Sequence, residues 1–567
     1  MADTLTKISH NLDRPKITAR DPLHPGYLEF DAPLPDTSTI PLDEMNLIDP
    51  EIWRKGAYWE LFKRMRDQDP LHWTEDSFAG GFWSVTRYED VMKIDIDHKR
   101  FSSSWEHGGI VLGEPIEDFE LPMFIAMDEP KHSEQRKTVQ PAVAPNMLKE
   151  FEPLIRDRTK EILEQVPVGE PFDWVDTVSI ELTTMMLATL FDFPFEDRRK
   201  LTRWSDVSTN RENPDICPGG EEQWRQELME CLGTFMELFQ KKQQEPIRND
   251  LMSLLAHGEK TKNMTPMELL GNVILLIVGG NDTTRNSMTA SIYGLNKFPE
   301  EYAKLKQDPS LIPNMVSEVI RWQTPLAFMR RTALEDVEMH GKTIKKGDQI
   351  AMWYVSGNRD ERFWEEDPNR LIIDRKQARN HLSFGFGIHR CVGNRLGELQ
   401  LRILWEEIMD RFSHIEVLDE PSLTSGAFVK GYTWMPVIGH PKYADRGLVL
   451  FRLNNARQEA TPAIQGDGFA CNNSAVRTGQ ETSRLGDFFR QGWATHRGPI
   501  LEPRFAPLSP RSQGNNRIHA HRFFRQFDRR GFDNAQNGVL RDHFTEPAGL
   551  RHFCAKRQHK GESSGLA

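Results

Sequence analysis

The chain has 567 residues, 28% of them charged and 38% hydrophobic, with a formal net charge of −12. Such a length can bury a large core, and the acidic balance disfavours nucleic acid as a partner, because phosphate binding needs a basic surface. Five scattered cysteines (Cys217, Cys231, Cys391, Cys471 and Cys554) lack zinc-site pairing and are too sparse for a disulfide scaffold, so a reducing, cytoplasmic setting is expected.

Residues 1–45, rich in Pro, Asp and Thr, read as an extended N-terminal arm without the apolar stretch of a signal peptide. From Glu51 the pattern turns helical, with Trp53, Tyr58, Leu61, Phe62 and Met65 mostly on one face. Gly80 to Thr86 predicts a turn and a short strand, and Asp336 to Ile350 predicts short strands about a turn at His340-Gly341. Two loops rich in glycine and proline, Ser102 to Pro122 and Asn210 to Gly220, have lengths that in compact domains often belong to lids or binding loops. Thr265-Pro266-Met267-Glu268 supplies an N-cap, a first-turn proline and a capping-box glutamate in order. It opens a helix expected to run to about Lys297, interrupted at Gly279-Gly280, where each glycine costs about 1 kcal/mol relative to alanine. The apolar run Val273 to Val278 is far shorter than the roughly 20 residues of a membrane span, so no span is expected. The fold class is mainly α with small β-sheets.

Charge marks a boundary near 440. From Pro441 onward there are 20 Lys and Arg against 11 Asp and Glu, which leaves −21 for residues 1–440. The organisation expected is therefore an arm (1–45), a body (46–440) and an atypical basic C-terminal extension (441–567). A fused iron–sulfur reductase would need four cysteines for its cluster, and the extension holds two, Cys471 and Cys554.

The chemistry centres on His381-Leu382-Ser383-Phe384-Gly385-Phe386-Gly387-Ile388-His389-Arg390-Cys391-Val392-Gly393. A glycine-rich loop presents a cysteine at the start of a helix, continued by Leu396, Leu399, Ile403, Leu404 and Ile408. Amide groups at a helix start favour negative charge, so Cys391 is expected to favour thiolate, a soft ligand for iron. A buried structural role is the commonest alternative for a free cysteine.

Phe384-x-x-Gly387-x-x-x-Cys391-x-Gly393 resembles the haem-binding loop of the cytochromes P-450. The resemblance implies that fold over residues 50–440, with haem b as cofactor and Cys391 as its metal ligand. It also implies Phe384 and Gly393 around the thiolate and His389 on a haem propionate. Gly279-Gly280-Asn281-Asp282-Thr283-Thr284 resembles the family's oxygen-binding segment, which makes Asp282 and Thr283 the implied catalytic pair. A carboxylate beside a hydroxyl is a reasonable proton relay for cleaving an O–O bond. His132-x-x-x-Arg136 and Arg331 are the implied propionate partners, and Glu318-x-x-Arg321 with Arg375 is the implied buried ion-pair cluster.

In finer texture the chain is similar to the bacterial branch that hydroxylates the ends of alkane and fatty-acid chains. The implied activity is a monooxygenase that inserts one atom of O₂ into a C–H bond of an apolar small molecule. Electrons would come from a separate NADH-dependent ferredoxin reductase and ferredoxin. One face of Val273 to Val278 is expected to line the pocket, with Leu326, Ala327 and Phe328 narrowing it. Other readings on the same residues are a monooxygenase for terpenes or steroids, a peroxide-driven or isomerase variant, and a non-catalytic haem-thiolate sensor.

Overall fold

A computed structural model describes residues 12–442, apart from 20–26, 76, 114, 115 and 117. The start of the expected arm, and the expected extension beyond Lys442, lie outside the described residues. The first helices, α1 (Pro50–Arg54) and α2 (Tyr58–Gln68), form where the apolar spacing predicts, and Trp53, Tyr58, Leu61, Phe62 and Met65 are all buried. Asp49 starts α1, its carboxylate accepting the N–H of Glu51. Strands β1 (Leu71–Thr74) and β2 (Phe82–Val85) pair antiparallel, followed by α3 (Tyr88–Ile96) and β3 (Phe101–Ser102).

The helical body comprises α4 (Lys131–Val139), α5 (Pro145–Gln165), the strand β4 (Pro171–Asp173), α6 (Glu181–Phe191), α7 (Arg199–Thr209), α8 (Gly220–Gln244) and α9 (Leu251–His257). Through it runs α10 (Pro266–Lys297), opened by the complete capping box of Thr265 and Glu268. Helix α10 packs against α6, α7 and α8. Its buried residues point in every direction, the mark of a core helix. It passes through Gly279-Gly280 without a break, unlike the interruption expected from glycine propensity. Packing on all sides overrides that propensity. At Gly280 the neighbour explains the residue, since a Cβ there would lie 2.7 Å from Leu187 Cδ2 of α6.

Helices α11 (Pro299–Gln307) and α12 (Ile312–Gln323) lead to β5 (Met329–Ala333), the hairpin of β6 (Val337–Met339) and β7 (Lys342–Ile344), and β8 (Gln349–Met352). The hairpin turns at His340-Gly341, both with positive φ, as a two-residue turn between twisted strands requires. The main sheet runs β1-β2-β8-β5-β3, with β8 parallel to β2 and antiparallel to β5. A single turn, α13 (Tyr354–Gly357), leaves β8, and the later helix α14 (Asn394–Arg411) follows the cysteine loop. Strands β9 (Phe412–Val417), β10 (Ser422–Leu423), β11 (Tyr432–Trp434) and β12 (Pro436–Pro441) finish the described chain in a β4-β12-β9 sheet and a β10-β11 pair.

The Glu318, Arg321 and Arg375 cluster forms as expected. Glu318 and Arg321 are fully buried and meet through Nε–Oε2 at 2.7 Å and Nη2–Oε1 at 2.8 Å, and Arg375 Nε reaches the same carboxylate at 3.1 Å. The cluster ties α12 to the segment that leads into the cysteine loop. Mainly α architecture with small sheets is what the sequence implies and what the structure has.

Candidate active site

The loop before α14 is closed by backbone bonds, Gly385 N–H to the Leu382 carbonyl at 2.7 Å and Cys391 N–H to the Phe384 carbonyl at 2.8 Å. Gly387 sits at φ +66, and a Cβ on it would lie 2.8 Å from the Asp95 carbonyl oxygen. The loop therefore needs glycine for conformation and for close approach. Gly393 stands at the N-cap of α14, so Cys391 lies just ahead of the helix start.

Cys391 has accessible surface yet is surrounded by protein, because it faces an internal cavity of about 420 Å³. Burial pushes its thiol above the ordinary 9.0, against the N–H groups of Gly393 and Asn394 and the guanidiniums of Arg136 and Arg390. The expected amide contribution is present, but burial outweighs it. A coordinated cation would supply what burial removes, since a coordinating thiol is deprotonated outright.

The cavity is apolar over most of its wall. Phe384, Gly393 and Leu396 line it beside Cys391, and Ile274, Leu275, Leu276, Val278, Gly279, Gly280, Thr283 and Thr284 line it from α10. Val273 and Ile277 turn into the core instead, so the apolar run divides between pocket and packing as expected. Leu326 reaches this cavity, whereas Phe328 lines an adjoining space of about 410 Å³ and Ala327 is buried in the core. The two spaces share Ile110, Val111, Leu121, Met123, Ser208, Thr209 and Phe428, drawn partly from the predicted Ser102–Pro122 loop and the end of α7.

The two residues of the acid–threonine pair face different ways. Thr283 lines the cavity, its hydroxyl donating to the Gly279 carbonyl at 2.9 Å. Asp282 is fully buried on the side of α10 that meets α7, where its Oδ1 lies 3.0 Å from Arg285 Nη2, itself 2.5 Å from Asp206 of α7. Burial pushes the Asp282 carboxyl up to about 6, against the pull of Arg285.

The remaining residues gather at one end of the cavity. Arg136, Arg331 and His389 line it, and the ring of His132 lies 4.2 Å from that of His389. Arg136 donates to the Arg390 carbonyl, and Arg331 Nη2 meets Asp95 Oδ1 at 2.8 Å. His389 Nε2 shares a bond of 2.9 Å with the Ser103 hydroxyl. Both ring nitrogens of buried His132, and Nδ1 of His389, accept or donate no hydrogen bond in the described structure, although the Glu129 carboxylate stands 3.7 Å from His132 Nδ1. Burial, together with Arg136 and Arg331, pushes both imidazoles below 6.5. Basic groups that repel one another around unbonded nitrogens suit an anion.

Asp95 and Tyr354 also line the cavity and carried no signal in the motifs. Tyr88, Val91 and Asp95 are buried and recur at helical spacing, so an acid on an apolar helix face was the clue available. Met186 and Leu187 of α6 join the wall through tertiary packing alone.

The cytochrome P450 family model matches residues 219–430. Linalool 8-monooxygenase of Pseudomonas putida is 32% identical over 410 residues, 71% of this chain and 100% of that protein. The methyl-branched lipid omega-hydroxylase of Mycobacterium bovis is 26% identical, over 70% of this chain and 95% of its own. Among solved structures, CYP153D17 from Sphingomonas sp. PAMC 26605 is 48% identical with a TM-score of 0.65, covering 69% of this chain and 97% of that one. The chain belongs to the cytochrome P450 family and is a haem-thiolate monooxygenase. Family membership implies haem b held by a cysteinate, and the residues here fit it. A cysteine opens onto an apolar cavity, and a basic cluster with unbonded histidine nitrogens suits the two carboxylates. Among the described residues, no helix is long and apolar enough to cross a membrane.

Proposed function

We propose that this P450 hydroxylates the terminal methyl of medium-chain alkanes or fatty acids. Cys391 would ligate the haem iron, His132, Arg136, Arg331 and His389 would hold the propionates, and Phe384 and Gly393 would shape the thiolate side. The bound haem supplies the activation of O₂. The observation that carries the substrate reading is the mostly apolar space of about 410 Å³ that adjoins the haem cavity and shares Ile110, Val111, Leu121, Met123 and Phe428 with it. An unbranched chain in that space would direct one end toward the cavity that holds Cys391 and Thr283. A terminal C–H bond is stronger than an internal one, so the protein must win by positioning. Leu326 and the apolar face of α10 are the residues that hold the chain and exclude water. Thr283, whose hydroxyl faces the cavity, passes protons, while Asp282 is the buried acid one residue away, set against α7. The relative named as an omega-hydroxylase supports chain-end chemistry. Electrons arrive from a separate ferredoxin and its NADH-dependent reductase, and the haem domain spans residues 46–440.

The test is product analysis with a surrogate ferredoxin system. Octane should give mainly 1-octanol. Mainly 2- and 3-octanol would sink the chain-end reading, and turnover confined to terpenes or steroids would sink the substrate class. Cys391→Ser should remove the far-red-shifted Soret band of the reduced carbon monoxide complex, and a variant that kept the band would show another ligand.

A further inference from the structure

Asp95 ends the buried face of α3 and is itself 2% exposed. Its carboxylate is met by donors from three other elements. Oδ1 accepts from Arg331 Nη2 of β5 at 2.8 Å, and Oδ2 accepts from the Phe386 N–H of the cysteine loop at 2.7 Å and from the Tyr354 hydroxyl at 3.1 Å. The loop comes close enough that a Cβ on Gly385 would lie 3.2 Å from Asp95 Oδ2. Burial pushes the Asp95 carboxyl up, and Arg331, Phe386 and Tyr354 pull it down. The geometry decides between them. A guanidinium and a backbone amide can only donate, and the tyrosine hydroxyl completes a set that suits an ionised carboxylate. Protonated at Oδ1 the carboxyl would set its hydrogen against Arg331, and protonated at Oδ2 it would have only the Tyr354 oxygen to donate to, so the guanidinium contact favours the ionised form.

We infer that Asp95 is a positioning residue for the haem: it aims Arg331 at a propionate and pins the Cys391 loop to the same point. The inference rests on the reading of Cys391 and Arg331 as haem residues. It adds a residue that lies outside the haem motifs and gives it two separable effects. Through Arg331 it governs how tightly the cofactor is kept. Through its charge, buried at the wall of a mostly apolar cavity, it favours the ferric over the ferrous state and lowers the reduction potential.

The experiment uses the haem-loaded full chain with Asp95→Asn, which keeps size and one acceptor but removes the charge and turns an amide donor toward existing donors. Haem transfer to apomyoglobin should quicken by about tenfold or more, the order expected for one hydrogen bond to a charged group. The midpoint potential should move positive, while the carbon monoxide complex keeps its thiolate position. Arg331→Gln should also quicken haem loss, and the double variant should lose haem no faster than Arg331→Gln alone. Strict additivity, or a parental potential and haem-loss rate in Asp95→Asn, overturns the inference. Arg331→Gln that holds haem like the parent sinks the reading of Arg331 itself, a result distinguishable from the first. If Asp95→Asn does not fold, Tyr354→Phe removes one donor and leaves the charge in place. It should still quicken haem loss, and parental behaviour there overturns the inference as well.

Discussion

Two clusters of buried charge lie on either side of the cysteine loop's approach, and they are built on opposite rules. Around Glu318 the charges close on themselves. Besides the two arginines, the carboxylate accepts the Ile372 N–H at 2.9 Å, and Arg321 spends its other donors on the carbonyls of Asn358, Pro368 and Arg370. Arg375 does the same with Glu366 and Asp367. At the cavity end, basic groups crowd together with one carboxylate bonded to Arg331 and another 3.7 Å from His132, and three histidine nitrogens make no hydrogen bond in the described structure. A buried charge that is saturated by its own chain serves folding. A buried basic cluster left open marks where a ligand completes the structure.

Removing one member of each cluster should give opposite results. Glu318→Ala leaves two arginines buried beside a hole and should cost about 3–5 kcal/mol, a large part of the usual 5–15. Little folded protein should be recovered, with or without added haem. Normal yield and melting temperature would show that the closed cluster is not what holds this region. Arg136→Ala removes a cation from a cluster whose members repel one another, so the apoprotein's melting temperature should hold. Haem affinity should fall by the worth of a hydrogen bond to a charged group, roughly 1.5–3 kcal/mol. An unstable apoprotein with unchanged haem retention would reverse the assignment.

The open cluster should also leave a pH signature. The folded pKa of His132 is depressed below 6.5, first by burial and then by Arg136. The unfolded chain therefore takes up a proton near pH 6.5 while the folded apoprotein stays neutral, and stability falls as pH drops below that value. His381, pushed to about 3 by burial, adds to the same acid limb. Denaturant titrations of the apoprotein should show the slope, and His132→Phe should flatten part of it. Bound propionates should flatten it too, by offering the imidazole an anion. An identical slope in apoprotein, variant and haem-loaded protein would remove His132 from the open cluster.

The closed cluster was the more legible of the two. Glu318 and Arg321 share a helix face at i,i+3, and resemblance supplied Arg375. Helix α10 was readable from Thr265 to Lys297 through its capping box and apolar pattern, but its unbroken course at Gly279-Gly280 was not. That continuity comes from Leu187 and other neighbours that no local window contains. In the candidate site, Cys391 was legible from its glycine loop and helix start, and resemblance supplied Phe384 and His389. Asp95 was missed because its partners Arg331, Tyr354 and Phe386 lie 236, 259 and 291 residues away. The direction of Asp282 was also invisible, since adjacent helix residues differ by about 100° and only packing decides which one meets the cavity.

The smallest effect expected is from cutting the chain. Every contact described above for either cluster comes from residues between Asp95 and Cys391, so neither should respond to loss of the 441–567 extension. The position of the cut matters. Strand β12 still pairs with β9 at Pro441, opposite Phe412, and the Lys442 N–H donates to the Arg411 carbonyl at 2.8 Å. A cut at the charge boundary of 440 would remove that last pairing and fray the end of α14. A chain ending after Lys442 keeps it, and should load haem, show the thiolate carbon monoxide band and melt with the full-length protein. Loss of haem binding in that variant would mean that the extension completes one of the clusters. Measuring Glu318→Ala and Arg136→Ala in the shortened chain would then show which, because only the cluster it completes would change its response.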